Sequence, residues 1–201
     1  ATSMNDGKTT LSLGLMEAFT SRGLKVGFLK PVGQRYKETD EGPIDEDSLL
    51  VASTLGMKNG LADLSPIAVE RDFTRRYLDA PDVAPLEARI RASFSRVASG
   101  KDVVIVEGTG HGGVGAVFDL SNSRVAQMLG AKVLIVTVGG IGRPVDELCL
   151  NQCFYRSMNV PILGAVLNKT RLDKCDEVRR YAAKALARHG MRLLGVIPEQ
   201  K

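Results

Sequence analysis

The 201-residue chain carries 27 basic and 23 acidic residues, which gives a formal net charge of +4 and a pI near 9.0. The basic residues are scattered among acidic ones, and no stretch approaches the ~18 apolar residues that cross a bilayer, so we expect neither a nucleic-acid partner nor a membrane partner. The start of the chain lacks a secretory signal pattern, which predicts a cytoplasmic protein. Its size and its 44% hydrophobic content are typical of a single domain covering residues 1–201.

Cysteine and histidine usage gives no support for a structural zinc site. The chain has three cysteines and two histidines without metal-ligand spacing, so any metal must be bound by oxygen atoms. Cys149 and Cys153 stand four positions apart in a segment of helical pattern. This spacing favours reduced, buried thiols over a disulfide framework.

Short apolar runs alternate along the chain with longer segments of helical periodicity. The predicted strands are residues 25–29, 102–106, 133–138, 162–167 and 193–196. The predicted helices are residues 8–21, 45–55, 85–98, 121–129, 144–158 and 174–189. The predicted loops are residues 38–43 and 79–85. This alternation predicts an α/β fold, a three-layer sandwich with one parallel sheet and helices on both faces, because parallel strands need crossover connections.

A phosphate-binding signal lies immediately before the first predicted helix. A glycine at position 7 lets backbone N–H groups turn toward phosphates, the lysine after it reaches β and γ oxygens, and the threonine hydroxyl can ligate Mg²⁺. The standard pattern has a glycine where this chain has Thr2. The motif predicts a P-loop NTPase fold. The residues predicted to bind the nucleotide here are Asn5, Asp6, Gly7, Lys8, Thr9 and Thr10.

The position of this loop in the chain is unusual. A phosphate-binding loop normally follows a strand, whereas residues 1–3 already belong to the loop. We therefore expect a fragment that lacks its first strand, and the strand-like end of the chain leaves room for a following domain.

Three charged residues stand at the ends of predicted elements. Lys30 follows the strand 25–29 and either faces the ligand crevice of a parallel sheet or is a solvated lysine before a proline. Asp47 lies in the first turn of a predicted helix, where it either helps to cap the helix or supplies a carboxylate to a metal ion. Glu107 ends a buried strand and is placed to organise Mg²⁺.

A glycine-rich segment after Glu107 is the candidate substrate loop. It comprises Gly108, Thr109, Gly110 and His111, and its glycines would permit mobility or the close approach of a substrate. His111 is either a catalytic base or a solvated turn residue.

Two further sites follow later strands. Asn168 and Lys169 come directly after the strand 162–167, and an amide side chain can read the N6 and N7 edge of adenine. Arg143 follows a glycine-rich turn at a helix start, where it either meets phosphate or substrate or is solvated.

With these residues in place, the chain resembles dethiobiotin synthetase and its relatives, the group of P-loop ATPases that includes the cobyrinic acid diamide synthetase ATPase domain. The family loop is similar to Gly-Thr, four variable residues and Gly-Lys-Thr, which residues 1–9 match in length with Ala1 in place of the first glycine. The Lys-Pro-Val that begins at Lys30 matches a family motif, and the Glu-Gly that begins at Glu107 matches another.

This resemblance implies a chemistry and a set of roles. In that family, ATP phosphorylates a carbamate formed from CO₂ and a diamine, and ring closure gives a cyclic urea. By resemblance, Lys8 and Lys30 are the catalytic residues that neutralise the transferred phosphoryl group. The implied Mg²⁺ ligands are Thr9, Asp47 and Glu107. The resemblance also implies that Asn168 contacts the base, and that the protein is a homodimer with ATP and Mg²⁺ as cofactors.

Two segments depart from the family pattern and leave the small-molecule substrate unidentified. They are residues 33–35 and residues 109–115. The Gly-Thr-Gly-His stretch at residues 108–111 is more similar to dethiobiotin synthetase-like modules at the front of longer proteins, including some phosphate acetyltransferases. We therefore favour an ATP-dependent ligase or synthetase acting on a small carboxylate, carbamate or amine. The alternative is a nucleotide-sensing regulatory domain with little or no turnover. A structural domain with an inactive P-loop is disfavoured, because four separate ligand positions are retained.

Overall fold

The computed structural model describes residues 1–57 and 60–200, and internal contacts divide the chain into two units. The first unit comprises Ala1–Lys8, Gly110–Val114 and Ser121–Lys201. The second unit comprises Thr9–Thr109 and Gly115–Leu120. The division falls within the predicted phosphate-binding loop, so the residues of each unit are considered separately.

The strands and helices of the described residues follow one another in α/β order. The strands are β1 (Val26–Leu29), β2 (Val32–Gly33), β3 (Tyr36–Thr39), β4 (Gly42–Asp45), β5 (Ile67–Ala68), β6 (Val103–Val106), β7 (Val133–Val138), β8 (Ile162–Thr170) and β9 (Leu193–Pro198). The helices are α1 (Lys8–Thr20), α2 (Glu46–Thr54), α3 (Leu61–Leu64), α4 (Phe73–Asp79), α5 (Ala84–Ala98), α6 (Asn122–Met128), α7 (Arg143–Ser157) and α8 (Cys175–Arg188). Short 3₁₀ turns lie at Ala116–Phe118 and Leu172–Lys174.

The first unit is built on a parallel sheet in the order β7-β8-β9. The middle strand, β8, is buried at every position from Gly164 to Asn168, as expected of a parallel strand covered on both faces. Helix α8 contributes Val178, Ala182 and Leu186 to the core at helical spacing. The sheet and the helix together hold the end of β8 in a fixed position, and that end carries two predicted site residues.

The second unit contains parallel pairs β1-β6 and β2-β5 and an antiparallel hairpin of β3 and β4. Met16, Phe28 and Val51 form a buried cluster that joins α1, β1 and α2. The register of β1 with β6 pairs Leu29 with Val106. The residues that follow these two strands, Lys30 and Glu107, are thereby brought to the same end of the pair.

The predicted α/β class with parallel strand pairing is confirmed, and the six predicted helices and five predicted strands are all present with ends that differ from the prediction by at most three residues. The hydrogen-bonded ladders among the described residues form separate sheets, one of them antiparallel. The prediction of a loop over residues 38–43 is wrong at both ends, because residues 38–39 end β3 and residues 42–43 begin β4. Asp40 and Glu41 alone form the turn of this hairpin. The shortest elements, β2, β5 and α3, were not predicted, because they are too short to show a periodic pattern of apolar residues.

The cysteines and the longest helices complete the description. The three cysteines are free thiols, as predicted, but the prediction that they are buried is wrong: Cys149 and Cys175 are half-buried and Cys153 is exposed. The reason is that Cys153 lies on the outward side of α7, whose buried side carries Leu148, Gln152 and Tyr155. None of the helices within residues 1–57 and 60–200 combines the length and the apolar character needed to span a membrane.

Candidate functional site

The predicted phosphate-binding loop starts in the first unit, where it is tied to the sheet. The backbone N–H of Thr2 donates to the carbonyl of Val136 in β7 at 2.9 Å. The buried Thr2 hydroxyl contacts Asp6 Oδ2 at 3.0 Å and Thr137 Oγ1 at 2.8 Å. Asp6 also accepts the backbone N–H of Ser3 at 2.7 Å, so its carboxylate closes the loop on itself. Asp6 therefore has a structural role in shaping the loop.

The end of β8 holds the other side of this loop. Asn168 Nδ2 donates to the carbonyl of Asp6 at 2.9 Å, and Lys169 Nζ donates to the carbonyl of Asn5 at 2.7 Å. Gly7 has φ +89°, and an added Cβ there would collide with the Asn168 amide. The position therefore requires glycine both for its backbone angle and for the close approach of Asn168. We call residues 1–8 with Asn168 and Lys169 the loop cluster.

The loop cluster brings together most of the residues predicted to bind nucleotide. Lys8 begins α1, and its ammonium group lies 3.0 Å from the carbonyl of Ser3, curled over the loop. A glycine with positive φ beside a lysine at a helix start presents donors and positive charge suited to a phosphate group. Thr10 is exposed in the first turn of α1.

A second polar cluster lies in the second unit and surrounds the side chain of Lys30. The Lys30 ammonium contacts Asp47 most closely, lies 2.9 Å from Asp45 Oδ1 and lies 3.7 Å from Glu107 Oε1. Lys30, Asp45 and Glu107 are almost fully buried, whereas the side chain of Asp47 is 39% exposed. We call these four residues the carboxylate cluster. The interpretation of Lys30 as a solvated lysine is therefore wrong.

Helix α1 supplies two hydroxyl groups to the carboxylate cluster. Thr9 Oγ1 donates to Glu107 Oε1 at 2.9 Å, and Ser12 Oγ donates to Glu107 Oε2 at 2.9 Å. The two hydroxyls are three residues apart and thus lie on the same side of the helix. Both oxygens of Glu107 are held in defined directions by this pair.

Two residues of this site were not singled out from the sequence: Asp45, which belongs to the carboxylate cluster, and Ser12, which donates a hydrogen bond to it. Asp45 is the N-cap of α2, since its carboxylate accepts the backbone N–H of Asp47 at 3.0 Å. The residue that caps the helix is therefore Asp45, and the Asp47 carboxylate instead contacts Lys30. Ser12 could have been predicted as a site residue from its helical spacing from Thr9. Asp45 could have been predicted from its position close to Asp47 in the sequence.

The electrostatics of the carboxylate cluster follow from burial and mutual attraction. Burial alone would lower the pKa of Lys30, but Asp45, Asp47 and Glu107 together raise it above its ordinary value of 10.5. Burial raises the pKa of Glu107, and the Lys30 charge and the Ser12 and Thr9 hydroxyls oppose that rise. Lys30 is therefore held in its charged form.

The segment proposed as a substrate loop is divided between the two units. Gly108 and Thr109 belong to the second unit, where the buried Thr109 hydroxyl donates to the carbonyl of Val32 at 2.6 Å. This contact ties the segment to the residue two positions after Lys30. Thr109 thus has a structural contact of its own.

Gly110 and His111 belong to the first unit. His111 is exposed, its Nδ1 accepts the backbone N–H of Gly113 at 3.2 Å, and its carbonyl accepts Asn122 Nδ2 at 2.6 Å. Because Nδ1 accepts this bond, the neutral ring carries its proton on Nε2. This geometry agrees with the interpretation of His111 as a solvated turn residue.

The two remaining predictions concern Arg143 and the metal ligands. Arg143 pairs with Glu147 on the same helix at 2.6 Å and its side chain is 87% exposed, which matches the solvated alternative. In the part of the chain that the structure describes, no three His, Cys, Asp or Glu side chains are grouped to hold a metal ion by themselves. The predicted ligand set therefore depends on the Thr9 hydroxyl as well as on carboxylates.

An α/β fold in which a Gly-Lys-Thr loop leads into a helix, and in which that threonine meets an acid at the end of a strand, defines a P-loop protein. Comparison with known families agrees. The model of the family described as "AAA domain" matches residues 1–201, and the chain belongs to this family.

Individual relatives carry two kinds of name. The chain is 33% identical over 211 residues to a phosphate acetyltransferase of Pseudomonas aeruginosa, covering 96% of this chain and 28% of that protein. It is 25% identical over 163 residues to the ATP-dependent dethiobiotin synthetase BioD of Methanococcus vannielii, covering 81% of this chain and 73% of the synthetase. The resemblance to dethiobiotin synthetase and to the related acetyltransferase module is thus confirmed. The chain spans only 22–28% of the length of four phosphate acetyltransferases that it matches.

A solved structure shares the fold. The nucleotide-binding protein of Archaeoglobus fulgidus in complex with ADP superposes with a TM-score of 0.52 at 17% identity, covering 99% of this chain and 79% of that chain. At this identity the similarity concerns the fold alone.

Proposed function

We propose that this chain binds ATP together with Mg²⁺ and transfers the γ-phosphoryl group to a small carboxylate or carbamate. The observation that carries the proposal is the hydrogen bond of 2.9 Å between Thr9 and Glu107. In P-loop proteins the hydroxyl residue after the lysine and an acid at a strand end act together on the metal that accompanies the nucleotide. Here those two residue types meet although they are 98 positions apart.

The loop cluster is the proposed phosphate-binding element. Asn5 and Asp6 have their carbonyls held by Lys169 and Asn168, and Gly7 adopts the backbone angle that such loops need. Lys8 would exchange its contact with the Ser3 carbonyl for phosphate oxygens, because a charged acceptor binds an ammonium group more strongly than a carbonyl does. Thr9 and Thr10 continue the same chain into the first turn of α1.

The donor set fits Mg²⁺. Thr9, Asp47 and Glu107 offer one hydroxyl and two carboxylates, which are the hard oxygen ligands that this ion prefers. When bound, Mg²⁺ would polarise and partly neutralise the phosphate oxygens. Two hydroxyl groups hold the Glu107 carboxylate in a fixed orientation, so its oxygens would need little reorganisation to bind Mg²⁺.

Two lysines are proposed to act on the transferred group. The phosphorus–oxygen bond to ADP breaks while an acceptor oxygen bonds to the same phosphorus, and the equatorial oxygens carry the charge. Lys8 and Lys30 would stabilise that charge, because each side chain carries a positively charged ammonium group. The pKa of Lys30 lies above its ordinary value, which keeps the group protonated throughout the neutral pH range.

Asn168 is the residue proposed to contact the base. Because its Nδ2 donates to the Asp6 carbonyl, Oδ1 is the atom that we propose accepts an amino hydrogen of adenine. A base with a carbonyl at that position would be repelled by Oδ1. Lys169 would act beside it by keeping the loop in place.

The test is a comparison of ATP binding and ADP release with and without 7,8-diaminononanoate and bicarbonate. Calorimetry measures binding of ATP in Mg²⁺ buffer and in EDTA, and a coupled assay measures ADP. ADP release that depends on the diamine supports the synthetase activity. Failure of ATP to bind in Mg²⁺ buffer would refute the proposal as a whole.

The second candidate is a nucleotide-sensing domain, and the observation that favours it is the match to 28% of the length of phosphate acetyltransferases. Tight ATP binding without ADP release under any acceptor condition supports this alternative. We also propose that the protein forms a homodimer, which only the family resemblance implies. Light scattering of the purified chain with and without ATP would measure the molecular mass in solution and so test whether it is a dimer.

A further inference from the structure

Lys30 occupies the place in the carboxylate cluster where a cation is most strongly attracted. Its ammonium group contacts Asp47, Asp45 and Glu107 at once. Three carboxylates against one ammonium leave a formal excess of negative charge around a buried group. Such a cluster attracts further positive charge, and the position nearest to both Asp47 and Glu107 is already taken by Lys30.

We propose that Lys30 is an internal substitute for the divalent cation, and that cation binding releases Lys30 from Asp47 and Glu107 so that it can reach the acceptor. The inference rests on the proposed function for the identity of the metal ligands, and it adds an order of events. Lys30 and a divalent cation cannot both contact the Asp47 and Glu107 oxygens closely, because two positive charges would then be adjacent in a buried site. The acceptor anion would therefore gain its lysine only after the cation has bound.

Glu107 has the geometry that this exchange requires. Its Oε1 accepts from Thr9 at 2.9 Å and lies 3.7 Å from the Lys30 ammonium, outside direct hydrogen-bond distance. Its Oε2 is held by Ser12. The contact between Glu107 and Lys30 is thus the loosest of the three, and a cation that joins Thr9 and Glu107 can displace it.

Asp45 is the residue that keeps Lys30 in place after the exchange. Its carboxylate caps α2, its backbone N–H donates to Ser65 Oγ at 3.1 Å, and its side chain is 1% exposed. Gly33 packs against it so closely that an added Cβ would lie 2.6 Å from Asp45 Oδ2. Asp45 is therefore confined, whereas Asp47 is partly exposed and can turn to a cation. The lysine would pivot on Asp45 as the other two contacts are lost.

The first experiment measures Mn²⁺ binding without nucleotide, by the paramagnetic resonance signal of the free ion. Lys30→Met removes the internal cation and should bind Mn²⁺ at least about tenfold more tightly than the wild type, since the competing charge is gone. Lys37→Met, at an exposed lysine of the β3 strand, is the matched control and should bind as the wild type does. Equal or weaker Mn²⁺ binding by a folded Lys30→Met variant overturns the inference.

The second experiment uses the wild-type chain and so does not depend on the folding of a variant. Acetylation of lysines by an N-hydroxysuccinimide ester is followed by mass spectrometry with and without saturating Mg²⁺. Modification of Lys30 should become several-fold faster with Mg²⁺ while that of Lys37 stays unchanged. An unchanged Lys30 rate overturns the inference. Because neither experiment contains nucleotide, a failure of ATP binding would be seen separately by calorimetry.

Discussion

Thr9 in α1 and Glu107 after β6 share a hydrogen bond of 2.9 Å, and Ser12 holds the second oxygen of the same carboxylate. The first turns of α1 and the end of a buried strand thus converge on one acid. This acid also lies near the Lys30 ammonium, so hydroxyl, carboxylate and ammonium groups form one continuous polar network in the second unit. Such networks respond strongly to the loss of a single charge.

Glu107→Gln tests the role of that charge. The amide keeps the shape of the side chain but loses the negative charge that attracts Mg²⁺, so we expect ATP affinity in Mg²⁺ buffer to fall at least about tenfold. Affinity in EDTA should change little. Calorimetric titrations in the two buffers check this, with Glu38→Gln on the exposed face of β3 as the control. Identical Mg²⁺ dependence in the variant and the wild type would contradict the assignment.

Lys8→Ala tests the loop cluster. The substitution removes the ammonium group at the start of α1, and we expect ATP binding to be lost from calorimetry while the circular dichroism spectrum is retained, because Lys8 is not part of the core. Lys25→Ala, at an exposed lysine before β1, should bind ATP normally. Unchanged affinity in Lys8→Ala would refute the loop as a phosphate site.

Asn168→Asp tests the hold of β8 on the loop. An aspartate cannot donate to the Asp6 carbonyl, and it places a negative charge beside that oxygen, so a buried acceptor is left unpaired at a cost of about 1–3 kcal/mol. We expect both a lower unfolding midpoint in urea and weaker ATP binding. Asn159→Asp, at an exposed position outside the cluster, serves as the comparison. A variant as stable as the wild type would show that this hydrogen bond does not hold the loop.

Gly139→Ala tests the packing next to the loop cluster. An added Cβ at Gly139 would lie 2.7 Å from the Cα of Thr170, a backbone atom that cannot rotate away. Overpacking of this kind destabilises a protein by about 1–3 kcal/mol. Gly142→Ala is the matched control, since an added Cβ there meets no atom within 4 Å. Denaturant unfolding of both variants measures the difference, and equal free energies of unfolding would contradict the expected clash.

Asp63→Asn tests a pH-dependent contribution to stability. The hydrogen bond from Arg96 lowers the pKa of Asp63 below its ordinary value of 3.8. A folded-state pKa that is lowered contributes stability above the unfolded-state pKa and loses it as the pH falls through the folded-state value. The variant should therefore melt about 1–3 °C below the wild type at pH 7, and this gap should narrow below about pH 4.

The control for this pH series is Asp40→Asn in the exposed turn between β3 and β4. Its melting temperature should follow that of the wild type at every pH. Thermal unfolding followed by circular dichroism between pH 3 and pH 7 supplies all three curves. A gap between Asp63→Asn and the wild type that stays constant across this range would show that Arg96 does not perturb the carboxyl group.

Local sequence was sufficient to predict six of the helices and five of the strands. Helix α8 and strand β7 were predictable because periodic burial and apolar runs are properties of adjacent residues. Gly7, Lys8 and Thr9 could be predicted as a phosphate-binding motif because such a motif is a contiguous segment. The β3–β4 hairpin was missed because its polar residues and its proline resemble a loop until the two strands pair.

Which residues meet was decided by tertiary structure alone. Parallel pairing of β1 with β6 puts Lys30 and Glu107 at the same end of the strand pair. The first turn of α2, which Asp45 caps, brings Asp47 into contact with the same ammonium group. The sequence by itself determined the α/β class and the Gly-Lys-Thr loop before the first helix, since both depend on neighbouring residues. The capture of Lys30 by three carboxylates arises from contacts between distant segments, and its strength depends on burial, which no local pattern encodes.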